Sequence, residues 1–449
     1  MKNYFQKSTS AAPLAVFRIA LGLLLFVSMI RFWSKGWIHQ LYIEPKHFFP
    51  FFGFEFVTSP GEYIYIIFAI CAASALLFAF GYYYRIASVT LFLSFTFIEL
   101  IDKSTYLNHY YFISMVCLMM IFLPANVYFS VDAYRNKSQS ADKIPQWCID
   151  SIKLFVCIIY FFAGLAKINS EWLLHAQPLR IWLPAKNDLP LIGPLFNYVW
   201  VAYVFCWIGC VYDLTIPFFL LNRKTRRFAF AAVVVFHILT AILFPIGMFP
   251  YIMIATALIF FSADFHQKLV HNIASWFGRS KELVFPDRQY IYTNASRTVL
   301  MTCFGIFFIV QIVMPLRYLA YPDELFWTEE GYRFSWRVML MEKAGQAQFM
   351  VKDSAGNIAS IDNREFLTPL QEKMMATQPD MILQYAHILR DHYAVLGWQS
   401  PQVYVDSYVV LNGRLGTPLI DPLTDLAKEK DSFSHKSWIL PFRNEIKGF

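Results

Sequence analysis

Long apolar runs separated by short polar loops fill the first 320 residues and then stop. The first run, 13–33, follows a polar lead that holds Lys2 and Lys7. Others of membrane-crossing length read at 61–80, 85–101, 107–124, 149–168, 193–221, 227–244, 248–263 and 298–320. Together they predict nine transmembrane helices. Because the first run lacks a small-residue cleavage site, it reads as a retained helix and not as a signal peptide. Beyond residue 320 the pattern changes. Segments 348–352 and 358–361 flank Asp353-Ser-Ala-Gly-Asn357, which predicts a hairpin. Apolar residues at 382, 386, 389, 393 and 396 form a helical stripe. A second hairpin is predicted for 403–411 and 414–420 around Asn412-Gly413, the dipeptide best suited to a tight turn. The expected architecture is an α-helical polytopic membrane bundle over 1–320, followed by a β-rich α+β domain over 321–449.

Composition sharpens this reading. Of 449 residues, 57% are hydrophobic and only 15% are charged, against roughly 25% charged in soluble domains. Membrane lipid is therefore the first expected partner. The net charge is +7, but the basic residues are scattered through loops. No basic and aromatic stripe tracks a nucleic-acid backbone, so no nucleic-acid partner is expected. The charge reports topology instead. With a cytoplasmic N-terminus, inside segments hold Lys2, Lys7, Arg85, Arg135, Lys137, Lys143, Arg223, Lys224, Arg226, Arg227, Lys268, Arg279, Lys281, Arg288 and Arg297. Outside loops hold only Lys35, Lys46, Lys103, Arg180 and Lys186. Fifteen against five favours this orientation, and an odd number of spans puts the C-terminal domain outside. All seven cysteines lie in or beside apolar runs and none follows Cys303. A disulfide-stapled outer domain is excluded, and no Cys/His cluster has zinc spacing, so no metal is expected.

Candidate chemistry lies where polarity is expensive. Tyr160-Phe-Phe-Ala-Gly-Leu-Ala-Lys167 closes an otherwise apolar run, and on a helix Tyr160, Ala163, Gly164 and Lys167 share one face. A cation at membrane depth costs ~3 kcal/mol or more, so such a lysine commonly faces the bundle interior and has a role. A lysine that snorkels to the interface and meets the helix dipole is the other reading, and at this point both stay open. Asn108 and His109 open the next apolar run after Asp102-Lys-Ser-Thr-Tyr. Such a pair can hydrogen-bond a ligand or relay a proton, or simply cap a helix. His237 sits within a span, where an interhelical hydrogen bond is its ordinary use. The long loop 35–60 reads as a lid. No GxSxG elbow, P-loop, dinucleotide fingerprint or HExxH is present. Paired intramembrane carboxylates and inverted repeats are absent too, which weighs against an ion-coupled transporter.

A family resemblance enters on a longer set of residues. It rests on Arg18, Gly22, Gly36, Pro45, His47-Phe48, Gly53-Phe54, Asp102-Lys-Ser, Asn108-His109-Tyr110, Ala163-Gly164, Lys167 and Leu243-Phe with Ile246-Gly-Met-Phe249. In the C-terminal region it rests on Tyr332, Ser335-Trp336, Gln384-Tyr-Ala386, Pro401-Gln-Val-Tyr404-Val-Asp406, Asn412, Arg414, Asp421-Pro422, Asp425, Ser437-Trp438 and Pro441. In this order they resemble the vitamin K-dependent gamma-glutamyl carboxylase family with its horizontally transferred transmembrane domain, in a short bacterial-type form. The resemblance implies an enzyme that couples oxygenation of vitamin K hydroquinone (menaquinol or phylloquinol) by O₂ to its epoxide with addition of CO₂ to glutamate side chains. A lysine base starts the sequence, and the strong base formed on the quinol removes the glutamate γ-proton. By motif position the base is Lys167, with Asn108 and His109 beside it. Tyr160, Gly164, Asp102 and His237 fall at the quinol site. Tyr332, Trp336 and Lys343 fall where a glutamate-containing peptide or protein enters.

Residue chemistry is compatible with that demand. An amine acts as a base only when neutral, and desolvation disfavours the charged form of an ammonium. An apolar pocket would also suit a lipid-tailed quinol and exclude water from a reactive carbanion. There are departures: Ala166 stands where animal members have a first lysine, Lys343 where the family often has arginine, and His387 where one disulfide partner would be. No sequon or cysteine lies on a predicted outer segment, which favours a bacterial cytoplasmic membrane over the endoplasmic reticulum. Two other readings remain: a hydroquinone epoxidase without carboxylation, and a non-enzymatic membrane binding or transport protein.

Overall fold

Small residues set how closely the first helices pack. A Cβ on Gly22 would lie 2.7 Å from the Cβ of Ala79, so the Ala12–Ser34 and Ile64–Phe80 helices meet almost backbone to backbone. This geometry comes from a computed structural model that describes residues 4–276, 278 and 287–449. Lys2, Arg279 and Lys281 of the charge tally lie outside the described residues. Near Gly22, the fully buried Arg18 donates to the carbonyls of Ala79, Ala125, Tyr128 and Phe129. Those oxygens belong to a helix end and the loop beside it, and would otherwise lack donors in an apolar layer.

Among the described residues, six helices are long and apolar enough to cross a membrane: Ala12–Ser34, Gly61–Phe80, Trp147–Leu165, Val199–Leu221, Arg226–Leu243 and Asn294–Ala320. A seventh is counted if the bent pair Phe249–Phe260 and Ala263–Trp276 is one span. The hydropathy pattern predicts nine. The difference lies in three runs. Tyr84–Leu100 and Asn108–Phe122 are helical over 17 and 15 residues, about 25 Å or less at 1.5 Å per residue, against ~30 Å of hydrocarbon. Asp102 closes the first of these, and Pro124 follows the second. The eighth run bends by 118° after Phe260, and its continuation is an amphipathic helix. The sixth begins as a 3₁₀ turn at Gly193–Asn197, so its helix starts at Val199.

The C-terminal region carries one four-stranded antiparallel sheet. Its strands are Lys343–Lys352, Ile358–Ser360, Gln402–Leu411 and Thr417–Pro418. Lys343–Lys352 pairs along its whole length with Gln402–Leu411, and the two short strands flank that pair. Both expected hairpins form, Met350 facing Ser360 and Val409 facing Thr417. Asn412 and Gly413 both take positive φ, 51° and 73°, as a tight turn there requires. The Pro379–Val395 helix covers the sheet, burying Ile382, Ala386 and Leu389 on one stripe. The sheet's core does not stop at the membrane bundle. Phe349, Tyr385 and Val403 belong to the same apolar cluster as Trp172, Leu179, Cys206 and Cys210.

Polar side chains rivet this contact. Asp380 accepts from Lys103 at 2.7 Å and from Arg333 at 2.6 Å. Gln371 donates to Asp102 at 2.7 Å and to the His47 carbonyl at 2.8 Å. Glu171 accepts from Asn412 at 2.9 Å and from both terminal nitrogens of Arg414. The loop 35–60 is pinned here as well: Lys46 donates to the Glu365 carbonyl and Gln384 to that of Pro50. None of its residues lines the cavity described below. The loop therefore sits against the sheet region instead of closing a mouth.

Candidate active site

The Trp147–Leu165 helix ends two residues before Lys167, so this lysine has carbonyls of the last turn beneath it. Its Nζ donates to the Ala163 carbonyl at 3.1 Å and to Asp213 Oδ2 at 2.7 Å. Lys167 is 6% exposed and Asp213 is 6% exposed. The amine thus meets the helix end, as one sequence reading had it, yet it turns inward and does not snorkel. Gly164 makes the pairing possible. A Cβ there would lie 2.7 Å from Leu214 Cγ and 2.8 Å from its backbone nitrogen. Only glycine lets the Val199–Leu221 helix come close enough to deliver Asp213 to the lysine. Beyond Lys167, Asn169 caps the next short helix by accepting from Trp172 N at 2.9 Å. Trp172 in turn donates its indole N–H to the Cys206 carbonyl at 2.7 Å. The chain that carries the amine is held on both sides.

Lys167 and Asp213 open onto a cavity of about 110 Å³. Asn108, His109, Tyr160, His237 and Trp336 line it too, among aromatic and aliphatic side chains that include Phe112, Phe236 and Met253. Tyr160 and His237 form a second hydrogen-bonded pair, Oη to Nε2 at 3.0 Å. Asn108 donates to the Arg337 carbonyl at 2.9 Å and accepts from Tyr106 at 3.1 Å. This ties the bundle wall to the segment that brings in Trp336. That segment is contorted: Phe334, Trp336 and Met339 take φ of 61°, 60° and 56°, conformations that side chains adopt only when the surroundings impose them. His109 packs against the rings of Tyr110 and Phe249. His237 Nδ1 and Trp336 Nε1 are buried and have no hydrogen-bond partner among the described residues. An apolar chamber with a few unsatisfied polar atoms suits a largely apolar ligand that carries a small number of hydrogen-bonding groups. On one side the wall is thin. Thr240, Phe244 and Ile246, at the end of the Arg226–Leu243 helix and just past it, are half-buried, and Ile238 and Ile242 of that helix are exposed.

Other residues picked from the sequence lie elsewhere. Gly164 lines no part of the cavity and acts through helix approach. Asp102 is buried outside it, accepting from Ser104 N at 2.8 Å and from Gln371. Burial raises its carboxyl above the usual range, with the bonds from Ser104 and Gln371 opposing. Tyr332 is half-buried near Phe326. Lys343 donates to Glu329 at 2.8 Å and to the Trp327 carbonyl at 2.9 Å. Burial pulls its ammonium down and the Glu329 carboxylate opposes that shift. Neither reaches the cavity wall. Among the described residues no His, Cys, Asp and Glu grouping could hold a metal ion.

Asp213 escaped the sequence reading, although a signal was present: it is an acid in the middle of an apolar run. Glu99 is a second such acid. It is buried in the Tyr84–Leu100 helix, accepts from Ser114 at 2.8 Å, and lies outside the cavity lining.

Comparison with known proteins accounts for both regions. Residues 6–265 match the HTTM domain, and residues 296–445 match the lumenal domain of vitamin K-dependent gamma-carboxylase. No solved structure matches the chain. With the helical bundle covered by the first match and the sheet region by the second, the chain belongs to the vitamin K-dependent gamma-carboxylase family.

Proposed function

We propose that this protein is a membrane carboxylase that oxygenates vitamin K hydroquinone and carboxylates glutamate side chains of a peptide or protein substrate. Residues 1–320 form its quinol-binding catalytic domain and 321–449 its outer, substrate-facing domain. The N-terminus is cytoplasmic, nine helical segments lie in the membrane, and the bacterial cytoplasmic membrane is the compartment. One observation carries the reading: a buried amine, two histidines, an asparagine and a tyrosine converge on an apolar chamber in a chain of this family.

When bound, vitamin K hydroquinone supplies with O₂ the oxygenation that yields a base strong enough to take a glutamate γ-proton, after which CO₂ is captured. The chain's own part is to start that chemistry and protect it. Lys167 accepts the hydroxyl proton. Asn108 and His109, which line the same chamber, orient the ring. Tyr160 and His237 hold a second oxygen through the free Nδ1 or the shared hydroxyl. Trp336 closes the chamber toward the outer domain and excludes water. Asp102, Tyr332 and Lys343 act at one remove, fixing the segments that carry Asn108 and Trp336.

The test is to give purified protein in lipid nanodiscs vitamin K hydroquinone, O₂, ¹⁴CO₂ and a glutamate peptide. Epoxide and labelled peptide are expected together. Lys167→Ala is expected to lose both by on the order of 10²-fold or more, the usual contribution of a positioned base. Epoxide without label would leave a hydroquinone epoxidase alone. Absence of epoxide would leave a binding or transport protein.

A further inference from the structure

We infer that Asp213 is the proton-holding partner of Lys167, so that the base of this site is the pair and not the amine alone. The inference rests on the hydroquinone reading above.

Three observations carry it. The pair is close, 2.7 Å from Nζ to Oδ2, and both members are buried. Both line the same cavity. Beside Asp213, Lys167 Nζ donates among the described residues only to the Ala163 carbonyl, an oxygen that cannot take a proton. An ammonium in this position has every lone pair occupied and is no base. Asp213 offers a way out that creates no net charge. The Nζ–H bond breaks, an O–H bond forms on Oδ2, and the pair becomes a free amine beside a carboxylic acid. Lys167 then takes a hydroxyl proton from the bound hydroquinone: that O–H bond breaks, its electron pair stays on oxygen, and an N–H bond forms. The pair ends with one proton more and a single positive charge, balanced by the oxygen left behind. A lone lysine would instead have to send its first proton through an apolar bundle to water.

Other titratable groups near the pair are Cys206, Cys210 and Tyr212 on the same helix as Asp213, Tyr160 on the Trp147–Leu165 helix, His237 bonded to Tyr160, and His109 on the cavity lining. None is within hydrogen-bond distance of Lys167 Nζ. Asp213 alone can share its proton.

The experiment compares wild type, Asp213→Asn and Asp213→Glu by the pH profile of epoxide formation. In the wild type the acid limb marks uptake of a second proton by the pair. In Asp213→Asn it marks protonation of the amine itself, with no anion beside it to accept that proton. The limb is expected to move to higher pH by about a unit or more (tenfold per unit) and to return with Asp213→Glu. A uniform loss at every pH, with the limb unmoved, would mean that Asp213 only orients the amine and would overturn the inference. Should Asp213→Asn fail to assemble, wild-type protein carrying ¹³C-labelled aspartate is given hydroquinone without oxygen. A carboxylic-acid C=O band from labelled aspartate is then expected in the infrared difference spectrum, and its absence overturns the inference. If the wild type forms no epoxide, the hydroquinone reading fails first and takes this inference with it. A normal wild-type rate with an unmoved limb fails this inference alone.

Discussion

At the scale of single residues, position 164 shows how little chemistry a site residue needs. Its contribution is the absence of a side chain, which lets two helices touch and brings an acid to an amine. Gly164→Ala is therefore expected to push the Val199–Leu221 helix away, destabilising the protein by about 1–3 kcal/mol as overpacked cores do. A lowered melting temperature of the detergent-solubilised protein would register it, together with a fall in epoxide formation. An unchanged melting temperature would mean that the helices accommodate a methyl group. Lys167 and His237 were legible in the sequence because each interrupts an apolar run. Asp213 was equally legible by that rule, but a lone carboxylate means little until its partner is known. That partner lies 46 positions away, and no local periodicity reports a contact between two helices. The reverse holds for Lys343 and Asp102. Asp102 is buried, the Lys343 side chain is enclosed, both are bonded, and only the fold reveals that neither lines the chamber.

Among elements, the joint between the sheet region and the bundle decides the shape of the chamber. Asp380, in the first turn of the Pro379–Val395 helix, holds Lys103 and Arg333 at once. Lys103 leads to Asn108, and Arg333 leads to Trp336, so one carboxylate grips both walls. Burial by itself would raise the Asp380 carboxyl, but the Arg333 and Lys103 charges outweigh burial and hold it well below the usual carboxylate range. The sign follows directly. A carboxylate whose folded value is depressed stabilises the fold above its unfolded value of ~3.9 and loses that contribution as pH falls further. Thermal stability is expected to be flat in this respect from pH 8 to 5 (about one unit above that value) and to fall in stronger acid. Asp380→Asn, which leaves the buried Lys103 and the half-buried Arg333 short of a partner, is expected to cost about 3 kcal/mol and to remove that acid-dependent component. A variant as stable as wild type at neutral pH would refute the joint. Both hairpins and the Pro379–Val395 helix could be read from alternation, turn dipeptide and stripe. The long pairing of Lys343–Lys352 with Gln402–Leu411 could not, because its partners are far apart in sequence, from Lys352 with Gln402 to Lys343 with Leu411, and the register is set by packing.

For the whole molecule, hydropathy located every apolar run but overstated how many are long enough to cross a bilayer unaided. Whether a run of 15 or 17 residues spans depends on neighbours that thin or shield it, and those are properties of the assembled bundle. Orientation is open to direct measurement. Ser434 and Lys137 lie on what are expected to be opposite sides of the membrane. In intact cells, Ser434→Cys should react with a membrane-impermeant maleimide, whereas Lys137→Cys should react only after permeabilisation. The opposite pattern would invert the topology. A last consequence belongs to the thin wall formed by Thr240, Phe244 and Ile246. A ligand that arrives through that side has already dissolved in hydrocarbon, and its availability is fixed by how many ligand molecules share each lipid. Saturation curves drawn against bulk molarity should fail to superimpose when detergent or lipid content is varied. Plotted against surface mole fraction, they should fall on one line.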